Sequence, residues 1–82
     1  MKAKLLNAIN KQTGELCGNP HLHYYGTELV FTEPPTKGQS FTALSDLTGS
    51  GIKSSPVISV ANVGNLWRIE TENTRYLWEV KG

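Results

Sequence analysis

Apolar and polar positions alternate most regularly in the last third of the chain. Residues 57–61 form a β-branched run that follows Pro56, and the polar residues 62–65 predict a turn behind it. Leu66–Thr71 and residues 75–81 then alternate strictly, as strands with one buried face do. This pattern predicts a C-terminal meander of three antiparallel strands.

The alternation also predicts which side chains face the core. In the last two strands these are Trp67, Ile69, Thr71, Tyr76, Trp78 and Val80. A two-residue loop, Glu72-Asn73, places Trp67 opposite Trp78. A four-residue loop over residues 72–75 keeps the same faces and changes the partners, so the pattern is compatible with both registers. In either case we expect at least one of the two tryptophans in the core.

The N-terminal segment, Lys2–Asn10, fits either a strand or a short helix, because its apolar residues also share one helical face. The polar, glycine-containing residues 10–15 that follow are typical of a hairpin loop. This loop favours the strand, and we expect Leu16 and Cys17 to begin the return strand.

Turn-forming residues divide the middle of the chain into short segments. The predicted turns and loops are residues 18–20, Gly26-Thr27, residues 33–38 with their paired prolines, and the polar residues 45–51. Between them, residues 21–32 and 39–44 are rich in aromatic and β-branched residues and predict strands.

These segments predict an all-β protein of five to seven short antiparallel strands in a single domain, residues 1–82. An open sheet of this size would leave bare edges and one uncovered apolar face. We therefore expect the sheet to curl into a small, partly open β-barrel, SH3-like or OB-like.

Length and charge exclude some classes of function. A chain of 82 residues buries a small core, and its formal charge of +1 lacks the basic excess that nucleic-acid binding needs. The N-terminus has no apolar segment of the kind found in signal peptides, and no apolar run approaches the roughly 18 residues of a membrane helix. With a single cysteine, Cys17, no internal disulfide can form, so the expected compartment is the cytoplasm.

Cys17, His21 and His23 are the candidate metal ligands. On a strand the two histidines would point the same way, and a turn would bring the cysteine alongside. A zinc site needs three or four such ligands, and no second cluster is present in the sequence to complete it. We therefore predict no metal site and no cofactor.

Catalytic patterns are also weak. Residues 48–55 resemble a phosphate-binding loop, but Ile52 stands where that motif has the glycine before its lysine, and Pro56 follows where a helix is required. The serines lie in no strand–turn–helix elbow, and the carboxylates are scattered. We predict no catalytic residues, and therefore a protein that is not an enzyme.

Candidate binding residues are aromatic or cationic. Tyr24 and Tyr25 are consecutive, so a strand would turn one of them inward and leave the other, with a neighbouring histidine, as a recognition patch. Lys37, Lys53 and Arg68 are candidate contacts to phosphate groups. On the outer face of the last hairpin, a patch formed by Arg68 and Arg75 is a candidate site for an anion or an acidic partner. The alternative role of these two arginines is ion pairing with Glu70 and Glu79.

Two short motifs resemble a recurring pattern. Ser54-Ser55-Pro56-Val57-Ile58-Ser59-Val60 is similar to a Thr-Ser-Pro-Val strand start, and Thr71-Glu72-Asn73-Thr74-Arg75-Tyr76 is similar to a Thr-x-Asn-Ser-x-Tyr hairpin. Both resemble segments of small bacterial and prophage β-domain proteins that have no assigned activity, in which a proline-rich stretch like residues 33–41 often comes first. The resemblance implies a compact β-domain and an origin in a mobile element.

The leading functional hypothesis is a small non-catalytic binding protein, encoded by a phage, that binds a host protein stoichiometrically. The alternative is a protein that binds or sequesters a nucleotide-like small molecule as a homo-oligomer, a homodimer being the simplest case. A weaker alternative is single-stranded nucleic-acid binding, which the aromatic residues favour and the charge disfavours.

Overall fold

A computed structural model describes residues 1–18 and 21–81. Its strands are β1 (Lys2–Asn10), β2 (Glu28–Phe31), β3 (Thr42–Leu44), β4 (Gly51–Lys53), β5 (Val57–Val63), β6 (Leu66–Thr71) and β7 (Thr74–Lys81), with one 3₁₀ helix at His21–His23. All seven strands belong to one antiparallel sheet in the order β4-β3-β2-β1-β7-β6-β5. The predicted all-β class and strand number are confirmed.

The two ends of the sheet approach each other where β4 runs into β5. The Ser54 N–H donates to the Phe41 carbonyl at 2.9 Å, and the Val57 N–H donates to the Gln39 carbonyl at 3.0 Å. The Gly38 N–H donates to the Val57 carbonyl at 2.8 Å. We call these contacts of residues 38–41 with Ser54 and Val57 the seam. The remainder of β5 lies beyond the seam, so the sheet is a partly open barrel, as predicted.

β1 is a strand along its whole length, and it lies in the middle of the sheet between β2 and β7. A bulge between Leu5 and Asn7 re-aims its side chains, so that Leu5 and Ala8 both face the core while Leu6 remains exposed. The expected return strand after the loop is reduced to one bridge, between Ile9 and Leu16.

The C-terminal meander is present as predicted. Trp67 pairs with Trp78 and Ile69 pairs with Tyr76, which is the register of the two-residue loop Glu72-Asn73. β5 continues two residues beyond the predicted segment, because its hairpin with β6 closes on the two-residue turn Gly64-Asn65.

The strand predicted over residues 21–32 is wrong in its first half. His21–His23 form the 3₁₀ helix, a turn ending at Gly26 follows, and only Glu28–Phe31 enter the sheet. The backbone bonds here are local: the Tyr24 N–H donates to the His21 carbonyl at 2.9 Å. High β propensity was overridden because these residues have no neighbouring strand to pair with. The turn predicted at residues 18–20 falls largely outside the described residues.

Two features of the middle segment also differ from the prediction. β3 is shorter than the predicted strand of residues 39–44, because the residues before it form the seam instead. β4 begins at Gly51, which the sequence placed in a loop. A β-carbon at this position would collide with the carbonyl oxygen of Ala43 on β3, so glycine is required there.

The core lies inside the curled sheet and is built around aromatic rings. Phe31 meets Trp78 edge-on with ring centroids 4.7 Å apart, and Phe41 meets Tyr76 edge-on at 5.0 Å. Trp78 is fully buried, whereas Trp67 is half-buried at the margin of the core. The remaining buried apolar residues are Ala3, Leu5, Ala8, Leu29, Ala43, Ile52, Val57 and Ile69.

In the described part of the chain, helical structure is too short and too polar to cross a lipid bilayer.

Candidate functional site

A groove of about 470 Å³ lies on the outer face of the four strands β1, β7, β6 and β5. Its lining residues are Asn7, Ile9, Ser59, Ala61, Arg68, Ile69, Glu70, Arg75, Tyr76 and Leu77. The two outermost of these strands both contain a bulge, between Leu5 and Asn7 in β1 and between Val57 and Ser59 in β5. Because a bulge bends its strand and increases the local twist, these irregularities give the sheet its concave outer surface.

Strand register arranges the outward side chains of the groove in two rows across the sheet. The first row runs through Asn7, Leu77, Arg68 and Ala61, and the second runs through Ile9, Arg75, Glu70 and Ser59. Each row takes one residue from each of the four strands. Side chains directly opposite on neighbouring strands are about 4.5–5.5 Å apart at Cβ, so each row is a continuous surface.

The second row contains a charge cluster. Lys11, the residue after β1, donates from Nζ to Glu70 Oε2 at 2.7 Å and to the Thr71 carbonyl at 3.2 Å. Arg75 Nε lies 3.7 Å from Glu70 Oε1. The hydrogen bond from Lys11, together with the positive charges of Lys11 and Arg75, lowers the pKa of the Glu70 carboxyl. Glu70 is therefore ionised at neutral pH and held between two cations.

The first row contains one unmatched cation. Arg68 lies between Leu77 and Ala61, neither of which offers a polar side chain. Among residues 1–18 and 21–81, no carboxylate lies within ion-pair distance of Arg68, so the alternative role of ion pairing with Glu70 or Glu79 is wrong for this arginine. The predicted cross-strand pair of Arg75 with Glu70 is present. Arg68 thus presents its guanidinium donors to the solvent within the groove.

The predicted binding residues are only partly brought together. Arg68 and Arg75 line the groove, whereas Lys37 and Lys53 are exposed elsewhere and contribute nothing to it. Lys37 makes a backbone bridge to Val57, and Lys53 lies on β4.

The two tyrosines are half-buried against the core rather than displayed as a patch. The Tyr25 hydroxyl donates to the Ala8 carbonyl at 3.1 Å and the Cys17 carbonyl at 2.9 Å, which ties the loop after β1 to the strand itself. Tyr24 packs against the same core. The expectation that one tyrosine is exposed for recognition is therefore wrong, because both side chains are half-buried against the core and the Tyr25 hydroxyl is bonded to the backbone.

The candidate metal ligands are not gathered into one site. His21 Nε2 lies 2.9 Å from the Tyr76 hydroxyl, and His23 is exposed on the 3₁₀ helix. Within the described ranges, no group of three or more His, Cys, Asp or Glu side chains is placed to hold a metal ion.

Sequence patterns alone missed Lys11, Asn7 and Leu77 as groove residues. Lys11 and Glu70 are 59 positions apart, so no local pattern connects them. Asn7 and Leu77 are outward positions of alternating strands, but they become neighbours only once β1 is known to pair with β7.

Fold and groove together define a small all-β protein with a cationic outer sheet face. Comparison with protein-family models, with curated proteins and with solved structures gave no match.

Proposed function

We propose that this chain is a non-catalytic binding protein that acts by stoichiometric contact between its groove and a partner protein. The observation that carries the proposal is Arg68, an arginine without an ion pair in the described chain, set among small and apolar side chains. A guanidinium offers several donors in a planar fork, and it matches a carboxylate in two parallel hydrogen bonds. The partner therefore presents an Asp or Glu side chain beside an apolar group that covers Leu77.

The shape of the groove favours a macromolecule over a small ligand. Sites for small molecules are clefts that enclose most of the ligand surface. This groove is open along one side, and its polar lining residues Ser59, Arg68 and Arg75 are exposed. A protein surface laid across the two rows would cover them and exclude water from the arginine contacts.

The setting we propose is the cytoplasm of a host cell, with the chain encoded by a phage and directed against a host protein. The support for it is the similarity of residues 54–57 and 71–76 to prophage β-domain proteins, together with a lone cysteine that forms no disulfide.

Affinity capture with matched charge-reversal variants tests the proposal. The partner captured from host lysate by the wild-type chain is purified, and its affinity is measured by calorimetry against wild type, Arg68→Glu and Lys53→Glu. We expect Arg68→Glu to weaken binding at least about tenfold, because it places like charges in contact. Lys53→Glu changes the net charge equally at an exposed site outside the groove and should bind as wild type does. Equal affinity of Arg68→Glu and wild type, or no captured partner at micromolar concentration, would reject the proposal.

The charge balance of the groove favours one second candidate, an anionic small molecule such as a nucleotide. Arg68, Arg75 and the neighbouring Lys11 face a single carboxylate, Glu70, among the described residues around the groove. A nucleotide panel in a thermal-shift assay tests this candidate, since a ligand that binds the native state raises the melting temperature. A rise for the wild type that Arg68→Glu abolishes supports it, and no rise at millimolar ligand rejects it.

Single-stranded nucleic acid is not proposed. The aromatic rings on which bases would stack, such as Phe31, Phe41 and Trp78, are buried in the core.

A further inference from the structure

β5 forms an exposed edge of the sheet. Its first residue, Val57, is covered by the seam, but the residues beyond it are exposed, and Ile58, Val60 and Val63 are 41%, 39% and 63% accessible. Val57–Val63 contains no charged residue and no proline. These are the residues by which natural edge strands normally prevent pairing with another chain. The strand thus lacks the usual features that prevent an exposed edge from pairing with another strand.

The backbone groups that β5 leaves unpaired can be assigned from its hairpin. The turn Gly64-Asn65, with Gly64 at φ +61°, makes Val63 and Leu66 the closing hydrogen-bonded pair. Because hydrogen-bonded and non-hydrogen-bonded pairs alternate in an antiparallel ladder, Ala61 and Ser59 also bond to β6. Val60 and Asn62 therefore direct their N–H and C=O groups away from the sheet. Nothing in the described part of the chain accepts or donates a hydrogen bond on this side.

We propose that β5 pairs antiparallel with β5 of a second copy of this chain, so that the protein is a two-fold symmetric dimer with one continuous sheet. The register follows from the free groups. Placing Val60 opposite Asn62 of the other copy gives every one of the outward N–H and C=O groups a partner. This register brings Ala61 of the two copies face to face at the two-fold axis, in a non-hydrogen-bonded pair with Cα atoms about 4.5 Å apart. The small side chain of alanine fits this close approach.

Charge distribution favours a second copy over an unrelated strand. In this register only Ala61 meets its own equivalent, but any charge on β5 near the two-fold axis would still lie close to the same charge of the other copy. β5 has none. The nearest cation on the outer face, Arg68, lies on β6, and three strand spacings of about 4.8 Å separate it from its symmetry mate by roughly 14 Å. That distance exceeds the Debye length of about 10 Å at 0.1 M salt, so the repulsion is screened.

The dimer would extend the groove. In this register the first row continues through Ala61 of both copies into the first row of the second copy, and the two grooves become halves of one surface. The inference rests on the backbone geometry of β5 and is independent of the proposed function. Sedimentation and exchange measurements on the protein alone therefore decide it without any partner.

Sedimentation equilibrium and amide exchange of the wild-type chain provide the first test. We expect the mass to rise with concentration from 9.0 kDa towards twice that value. An interface made chiefly by one strand pair is small, which predicts a dissociation constant in the micromolar rather than the nanomolar range.

As the dimer forms, the amides of Val60 and Asn62 should exchange at least about tenfold more slowly, because they become hydrogen-bonded. The amides of Ser59 and Ala61 are bonded to β6 in both states and serve as the internal control. A monomer at all concentrations up to about 500 µM overturns the proposal.

A matched pair of substitutions at one position provides the second test. Asn62→Pro removes an outward N–H and leaves the β6 ladder intact, as proline is tolerated on the free side of an edge strand. We expect it to be a folded monomer. Asn62→Ala keeps the N–H and should remain a dimer. If Asn62→Pro does not fold, Ala61→Lys provides the test instead. It places two lysines opposite each other at the two-fold axis, so we expect it to be a monomer. A folded Asn62→Pro or Ala61→Lys protein that dimerises as tightly as wild type shows that β5 is not the interface.

Discussion

At the scale of single residues, Thr71 fixes the turn that joins β6 to β7. Its hydroxyl is fully buried, donates to the Thr74 carbonyl at 3.0 Å and accepts from the Thr74 N–H at 3.1 Å. The Thr71 side chain therefore provides hydrogen-bond partners for both the N–H and the carbonyl of Thr74. The tryptophan register across this hairpin depends on that turn.

Thr71→Val should therefore destabilise the fold without changing the shape of the side chain. It leaves the Thr74 N–H and C=O buried without a partner, which costs about 1–3 kcal/mol in free energy of unfolding. Urea denaturation followed by tryptophan fluorescence measures the loss. Thr36→Val is the control, because the Thr36 hydroxyl donates to the Pro34 carbonyl in an exposed loop, where a change of less than about 0.5 kcal/mol is expected. Equal losses in the two variants would contradict the role assigned to Thr71.

At the scale of elements, the 3₁₀ helix His21–His23 contacts the sheet through the aromatic pair His21 and Tyr76. The His21 and Tyr76 rings lie 5.5 Å apart, and His21 Nε2 is 2.9 Å from the Tyr76 hydroxyl. Burial lowers the pKa of His21, and burial raises the pKa of Tyr76 to about 12. Both side chains are therefore neutral at physiological pH, and the contact is a hydrogen bond between uncharged groups.

Acid should weaken this contact. Because the pKa of His21 is lower in the folded state than the roughly 6.5 of an unfolded chain, the unfolded state takes up the proton first as the pH falls. The contribution of His21 to stability is thus complete above about pH 6.5 and is lost as the pH falls from there towards its folded-state pKa. We expect the urea midpoint of His21→Gln to fall less steeply between pH 7 and 5 than that of wild type. His23→Gln removes an exposed histidine and should keep the wild-type slope, and a wild-type slope in His21→Gln would refute this account.

Sequence patterns predicted the elements unevenly, and the reasons are physical. β6 and β7 were predictable because their strict alternation reflects one buried and one exposed face, and this requires no knowledge of the rest of the fold. β4 was missed because its three residues are identified as a strand only by their pairing with β3. Residues 21–25 have strand-like composition, but they form a 3₁₀ helix and a turn. Their contacts with Ala8, Cys17 and Tyr76 are distant in sequence, so a local pattern could not predict them.

The candidate site was predictable only in outline. Alternation correctly placed Arg68 and Arg75 on the outer face, because each is next in sequence to a residue that faces the core. Alternation could not reveal that Lys11 hydrogen-bonds to Glu70, because the two residues are 59 positions apart in the sequence. The consequence is that the sequence alone offered Glu70 as a partner for either arginine, whereas Lys11 and Arg75 use it and Arg68 is left without one.

At the scale of the whole molecule, the seam determines how far the barrel closes. Ser54 is the central residue: its hydroxyl accepts the buried Phe41 N–H at 2.9 Å and donates to the Ser55 carbonyl at 2.7 Å. The backbone bonds of Gly38 and Gln39 to Val57 continue the seam on its other side. The Phe41 bond extends the β3–β4 ladder beyond the Thr42–Lys53 pair, next to the residues that bond to Val57, so loss of the hydroxyl would loosen the seam from this side.

Ser54→Ala should accordingly open the seam while the meander stays intact. The Phe41 N–H would be buried without an acceptor, at a cost of about 1–3 kcal/mol. We expect the amides of Gly38 and Val57 to exchange faster than in wild type, with little change for amides shared by β6 and β7. Ser45→Ala removes a hydroxyl that accepts an exposed N–H, that of Leu47, and should change neither set. Uniform acceleration across the sheet in Ser54→Ala would show that the seam is not a separate unit.

The position of β1 has a consequence for how the chain acquires its structure during synthesis. β1 is synthesised well before β7, its long partner in the middle of the sheet. Pairing strands so distant in sequence requires the closure of a long loop before any contact is gained, and such topologies fold slowly. On the ribosome, β1 must therefore wait with an unsatisfied edge until β7 has emerged, and chains released before that point should be substrates for proteases.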